Sequence, residues 1–146
     1  HYHNRKRLPQ EQECEAVYHR EIEELFKVSD FLSLHCPATK ITRDLINEKT
    51  IDLMPDDAVI VNAARGSLID EDALISALSS GKISGAGLDC FVKEPGGNPK
   101  FSELKNVFML PHIGSATAKT RDAMGFRALE NLDAFFSGQN PVDQLF

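Results

Sequence analysis

The sequence predicts an α/β fold, a parallel sheet covered by helices, and two observations carry that expectation. Short apolar or β-branched runs alternate with helix-like runs from start to finish, the pattern of strands joined by helical crossovers. The breaks between them are sharp: Pro37, Pro55-Asp-Asp57, Gly81 and Gly138 each fall where a run ends, and proline and glycine are the residues that stop strands and helices.

Taken in order, His1-Tyr-His3 reads as the tail of a strand, followed directly by the basic turn Asn4-Arg-Lys-Arg7. Phe31-Leu-Ser-Leu-His35 reads as a buried strand that stops at Pro37, and His35 as a buried, hydrogen-bonded histidine. Leu45 to Leu53 is expected to be a short helix. Ala58-Val-Ile-Val-Asn62 is the most secure strand, β-branched and bounded by turn residues on both sides. The next helix has its own start and stop signals. Asp70 is a good N-cap, Glu71 and Asp72 suit the positive end of the dipole, Leu74, Ile75 and Leu78 form the apolar face, and Gly81 ends it. Gly85-Ala-Gly-Leu-Asp89 and Val107-Phe-Met-Leu110 read as two further strands, separated by a Pro/Gly/Asn loop. Thr117 to Ser137 reads as one helix of about 30 Å, with Met124, Ala128, Leu132 and Phe135/Phe136 on a face expected to pack in the core or between domains. There is no internal repeat.

Composition narrows the class of protein. The 146 residues are 42% hydrophobic and 26% charged, enough for one globular domain with a core and too apolar for disorder. No apolar run approaches the roughly 20 residues of a membrane span, and no secretory signal is recognisable at the start, so a cytoplasmic setting and no membrane partner are expected. Cys14, Cys36 and Cys90 are odd in number and widely spaced, which favours reduced thiols and no metal. A net charge of -6 argues against nucleic acid as a partner.

In open α/β sheets, ligands sit beyond the carboxyl ends of the strands. Three polar residues of different chemical type fall there. Arg65 closes Asn62-Ala-Ala-Arg65, Glu94 follows Leu88-Asp89, and His112 follows Leu110-Pro111. Together a guanidinium, a carboxylate and an imidazole could hold and polarise a carbonyl substrate, donate a proton, and keep the donor charged. The basic turn points to a nucleotide. Where a dinucleotide fold carries an acid for the ribose 2′-hydroxyl, this chain has Arg5, Lys6 and Arg7 and no acid, which favours a 2′-phosphate and hence NADP(H), with NAD(H) as the alternative. The Gly-x-Gly-x-x-Gly phosphate loop is not in the chain, and Gly85-Ala-Gly87 does not replace it because it leads into a strand rather than a helix.

These motifs resemble the D-isomer-specific 2-hydroxyacid dehydrogenases, and within them the NADPH-dependent glyoxylate/hydroxypyruvate reductase branch. The likeness rests on Leu34-His-Cys-Pro-Ala-Thr39, the Asn62-to-Asp70 stretch, Gly85-Ala-Gly-Leu-Asp89, Glu94-Pro95 and Pro111-His-Ile-Gly-Ser-Ala-Thr117, in the family's order and approximate spacing. Cys90 and Val92 depart from the family's usual Val and Glu, at positions that are not catalytic.

The resemblance implies a Rossmann-like doubly wound parallel sheet, lacking here the first strand and the glycine-rich loop. It implies residues 1–115 as the C-terminal portion of the dinucleotide-binding domain and residues 116–146 as a long crossing helix and tail. It makes Arg65, Glu94 and His112 catalytic, and puts Asn4, Arg5, Lys6, Arg7, Cys36, Pro37, Asn62, Ala63, Ala64, Asp89, His112 and Gly114 at the cofactor. The substrate implied is a small 2-oxo or 2-hydroxy acid, the assembly a homodimer when full length, and this chain a part of a longer enzyme that is inactive by itself. A corepressor-like nucleotide-binding interaction protein of the same fold is the rival, since such proteins keep the same three residues.

Overall fold

A computed structural model describes residues 1–145 as two compact units, His1–Pro111 and His112 onward. The first unit holds the sheet. Its elements are helix α1 (Ile22–Lys27), strand β1 (Phe31–Leu34), helix α2 (Glu48–Leu53), strand β2 (Ala58–Asn62), helix α3 (Glu71–Ser80), strand β3 (Ile83–Leu88) and strand β4 (Val107–Met109). The four strands are parallel and lie in chain order, β1-β2-β3-β4. The fold is therefore an α/β Rossmann-like parallel sheet with helices.

Alternation along the strands decides which way each side chain faces. Leu32 and Leu34 of β1, Ala58, Ile60 and Asn62 of β2, and Ile83, Ala86 and Leu88 of β3 are buried on one face. They form one core with Phe26 of α1, Ile51 of α2, and Leu74, Ala77 and Leu78 of α3. The other face is open: Phe31, Val61 and Phe108 are exposed. His35 follows the same alternation. It falls on the open side, exposed rather than buried as its sequence suggests, with its Nε2 2.8 Å from Ser33 Oγ.

Local signals place the element ends. Asp70 caps α3 by accepting from the Ala73 amide at 3.2 Å, and Gly81 leaves the helix at φ 83°, where a residue with a Cβ is disfavoured. The expected Leu45–Leu53 helix starts later, at Glu48, because Ile46 is held extended in a parallel bridge to Ile69 and Asn47 forms a capping box with Thr50. The strand tail expected at His1–His3 is a single bridge from Tyr2 to Tyr18. α1 carried no clear sequence signal, being only six residues long.

The second unit contains helix α4 (Ala118–Phe136), capped by Thr117 through the Thr120 amide. Arg127 pairs with Asp143 through two bonds of 2.7 and 3.0 Å, and Asn131 donates to Asp143 at 2.7 Å, which folds the tail along the helix. The apolar stripe is not part of this chain's core: Met124, Leu132, Phe135 and Phe136 are all more than half accessible. Among the described residues no helix is long and apolar enough to cross a membrane.

Candidate active site at the carboxyl edge of the sheet

Register brings the strand ends level. Leu34 pairs with Asn62, Asn62 with Leu88, and Leu88 with Met109, so the residues that follow leave the sheet along a single edge. His35-Cys36-Pro37, Ala63-Ala64-Arg65 and Asp89-Cys90 therefore emerge side by side. A cleft of about 470 Å³ opens between the first two of these loops, lined by His35, Cys36, Pro37, Ala38, Ala64 and Arg65.

Asn62 shapes the loop after β2. Fully buried at the strand end, its side chain accepts from the Ala64 amide at 3.0 Å and donates to the Arg65 carbonyl at 2.9 Å. Its own carbonyl accepts from the Asp89 amide at 2.9 Å, which ties the loop to the end of β3. A buried amide satisfied on both sides holds the backbone in one geometry. Arg65 leaves that turn in extended conformation with an exposed side chain, its Nη1 donating to the Ala64 carbonyl at 2.6 Å.

The loop after β3 is brought against it by a glycine. A Cβ on Gly66 would lie 1.9 Å from the Phe91 carbonyl carbon and 2.2 Å from its oxygen, so this close backbone approach excludes every other residue. Two carboxylates then fix the β3 loop. Glu94 Oε1 accepts from the Phe91 amide at 2.8 Å, and Glu71 Oε1, from the first turn of α3, accepts from the Val92 amide at 2.9 Å. Asp72 adds an ion pair to Lys100 at 2.8 Å. Nothing in the sequence marks Gly66 or Glu71 as part of this edge: Glu71 looks like an ordinary dipole-facing acid and Gly66 like a turn glycine.

Cys90 registers how the charges gather. Its buried thiol is pushed up to about 11, by burial first and then by the Glu94 and Asp89 carboxylates, with Arg65 pulling the other way. All three charged groups thus act on one sulfur. Asp89 is buried, and Cys90 Sγ lies 3.6 Å from the Asn62 carbonyl. Cys36 is also raised by burial. The structure therefore brings Arg65, Asp89, Glu94, Asn62 and Ala64 together at one edge, with Cys36 and Pro37 across the cleft.

His112 opens the second unit. It is exposed, has φ of 56°, and stands three residues beyond Met109. Few non-glycine residues adopt that backbone region, and those that do concentrate at functional positions. Gly114 lies in the turn that follows, closed by the Ala116 amide on the Ile113 carbonyl at 2.9 Å.

At the start of the chain, Arg5 and Lys6 are exposed, and among the described residues neither side chain has an ion-pair partner. Arg7 is engaged. It forks onto Glu13 through Nε at 2.7 Å and Nη2 at 2.8 Å.

Residues 1–114 match the family model described as the D-isomer specific 2-hydroxyacid dehydrogenase NAD binding domain. The chain belongs to that family. Over 140 residues it is 45% identical to a glyoxylate reductase of Thermococcus litoralis, covering 96% of this chain and 42% of the relative. A glycerate dehydrogenase of Hyphomicrobium methylovorum is 40% identical over 124 residues, 85% of this chain and 38% of its own length. Among solved structures, the NADPH-dependent glyoxylate/hydroxypyruvate reductase of Sinorhizobium meliloti, in complex with NADP and malonate, superposes with a TM-score of 0.86 at 37% identity, over 93% of this chain and 42% of that one. The chain thus spans less than half the length of these relatives. The cleft combines small apolar walls, Pro37, Ala38 and Ala64, with the polar residues His35, Cys36 and Arg65, a mixed lining that suits the part-aromatic, part-charged cofactor its family name implies.

Proposed function

We propose that this chain is the nucleotide-binding portion of an NADPH-dependent reductase that converts a small 2-oxo acid, glyoxylate or hydroxypyruvate, to its 2-hydroxy acid. The observation that carries the reading is the paired loop structure at the sheet edge. Asn62 and Gly66 set the Arg65 loop against the β3 loop, so that Arg65, Asp89 and Glu94 all act on the Cys90 thiol.

A bound nicotinamide supplies the hydride. The protein's own residues handle the rest. Arg65, permanently charged and forked, grips the substrate carboxylate and draws electron density from the keto oxygen. His112 gives a proton to that oxygen as it becomes an alkoxide. Glu94 is the carboxylate the resemblance assigns as partner of His112, with the role of orienting its ring. Asp89 would meet the carboxamide end of the cofactor, and Gly114 is a further residue the resemblance assigns to cofactor binding. Cys36, Pro37 and Ala64 would line the cofactor, with Ala63 beside them and buried Asn62 holding their loop in place, and the Asn4–Arg7 turn would receive its 2′-phosphate through its exposed cations. Two exposed cations in that turn support NADPH over NADH. The whole protein would work in the cytoplasm as a homodimer.

Steady-state NADPH oxidation with glyoxylate by the whole protein tests the reading. His112→Ala is expected to lower kcat by roughly 10²- to 10⁴-fold with little change in nucleotide affinity. Nucleotide binding without turnover in the unaltered protein overturns it in favour of a binding protein.

A further inference from the structure

The basic turn is built more elaborately than a patch of surface charge requires. Tyr2 and Tyr18 sit in a parallel bridge with their rings 5.3 Å apart. From that base, the Tyr18 hydroxyl donates to the Asn4 carbonyl at 3.1 Å, and the Tyr2 hydroxyl accepts from the Leu8 amide at 3.1 Å. The turn is thus pinned at both ends. Tyr2 also donates to Glu13 at 2.6 Å, and the Arg7 guanidinium, lying over the Tyr18 ring at 5.9 Å, closes the network through its two bonds to the same carboxylate. Glu13 is a buried acid on a surface segment, and a buried carboxylate persists only when its oxygens are paired. Of the three cations in the turn, Arg7 therefore has its charge neutralised and its fork occupied, whereas Arg5 and Lys6 stand free at the tip.

Resting on the NADPH reading above, we propose that Arg7 is not a phosphate ligand but, with Glu13, a positioning latch that fixes the turn so that Arg5 and Lys6 receive the ribose 2′-phosphate. Arg7 and Glu13 then act on cofactor choice through Arg5 and Lys6. A latch has a signature that a direct contact lacks. Removing either half releases the same turn, so the two losses do not add. Because neither half touches the phosphate, the salt dependence of binding stays with Arg5 and Lys6.

The test is titration of the whole protein with NADPH and with NADH, by quenching of protein fluorescence at several salt concentrations. Arg5→Gln, Arg7→Gln, Glu13→Gln and the Arg7→Gln/Glu13→Gln double variant are compared with the unaltered protein. NADH affinity serves as the fold control, since it needs the intact sheet but no phosphate ligand. Arg5→Gln is expected to weaken NADPH by about tenfold or more and to flatten its salt dependence. Arg7→Gln and Glu13→Gln are each expected to weaken NADPH several-fold at unchanged salt slope, with the double variant no worse than the weaker single. The latch is overturned if Arg7→Gln flattens the salt slope as Arg5→Gln does, or if Glu13→Gln tightens NADPH by releasing Arg7 onto the phosphate. An unaltered protein that binds NADH as tightly as NADPH overturns the NADPH reading itself, an outcome distinct from failure of the latch alone.

Discussion

Glu71 and Val92 are 21 positions apart, yet the Glu71 carboxylate accepts the Val92 amide at 2.9 Å and so fastens the Glu94 loop to the first turn of α3. Glu71→Ala is expected to loosen that loop and lower kcat/KM for the oxo acid by about threefold to tenfold, the scale of one lost charge-assisted hydrogen bond near the surface. Glu71→Gln, whose amide oxygen still accepts, should stay within about twofold of the unaltered enzyme. Parallel kinetics of the two variants check this. Equal loss in both would place the effect in the charge rather than the bond.

Gly66 and Gly125 should respond to alanine with opposite signs. At Gly66 the new methyl would overlap the Phe91 and Val92 backbone, at a cost of about 3 kcal/mol or more. Thermal melts should then show Tm lower by roughly 10 °C. Gly125 lies within α4 with nothing within 4 Å of its Cβ position, so Gly125→Ala should stabilise that helix by about 0.5–1 kcal/mol.

Acid should destabilise the N-terminal segment through Glu13. Arg7 first, then Tyr2, hold its carboxyl down from 4.5 to about 2 in the folded chain. A depressed folded pKa means the stabilisation is fully present above about pH 4.5 and is lost as pH falls towards 2. Asp56 beside Lys82 and Asp143 beside Arg127 are lowered as well and act in the same direction. Denaturant unfolding followed between pH 6 and pH 2, monitored by tyrosine fluorescence, should show stability falling through that window. Glu13→Gln should make the fall shallower.

The candidate site is partly legible in the sequence. Arg65 and Asp89 stand out because each closely follows an apolar run that reads as a strand, and strand ends in such sheets are where ligands sit, whereas Glu94, in a Pro/Gly loop, stands out only through the family resemblance. Glu71 was visible only as a helix-dipole acid, since nothing near it in sequence names Val92. Arg7 looked equivalent to Arg5 and Lys6, because its partner Glu13 is separated from it by a turn whose shape depends on the Tyr2–Tyr18 bridge.

The amino-acid sequence by itself determined the class of fold and most element positions. The runs Phe31–His35, Ala58–Asn62 and Gly85–Asp89, the Asp70 cap and the Gly81 stop act through neighbours within a turn or two, so their signals survive in one dimension, although the third strand starts two residues earlier, at Ile83. Tertiary structure alone decided that Leu34, Asn62, Leu88 and Met109 end at one level, that one face of the sheet is helix-covered while Phe31 and Phe108 lie open, and that Arg7 is held by Glu13. Each of those outcomes depends on register or on contacts between segments distant in the chain, where a shift of one residue would turn every side chain to the opposite face.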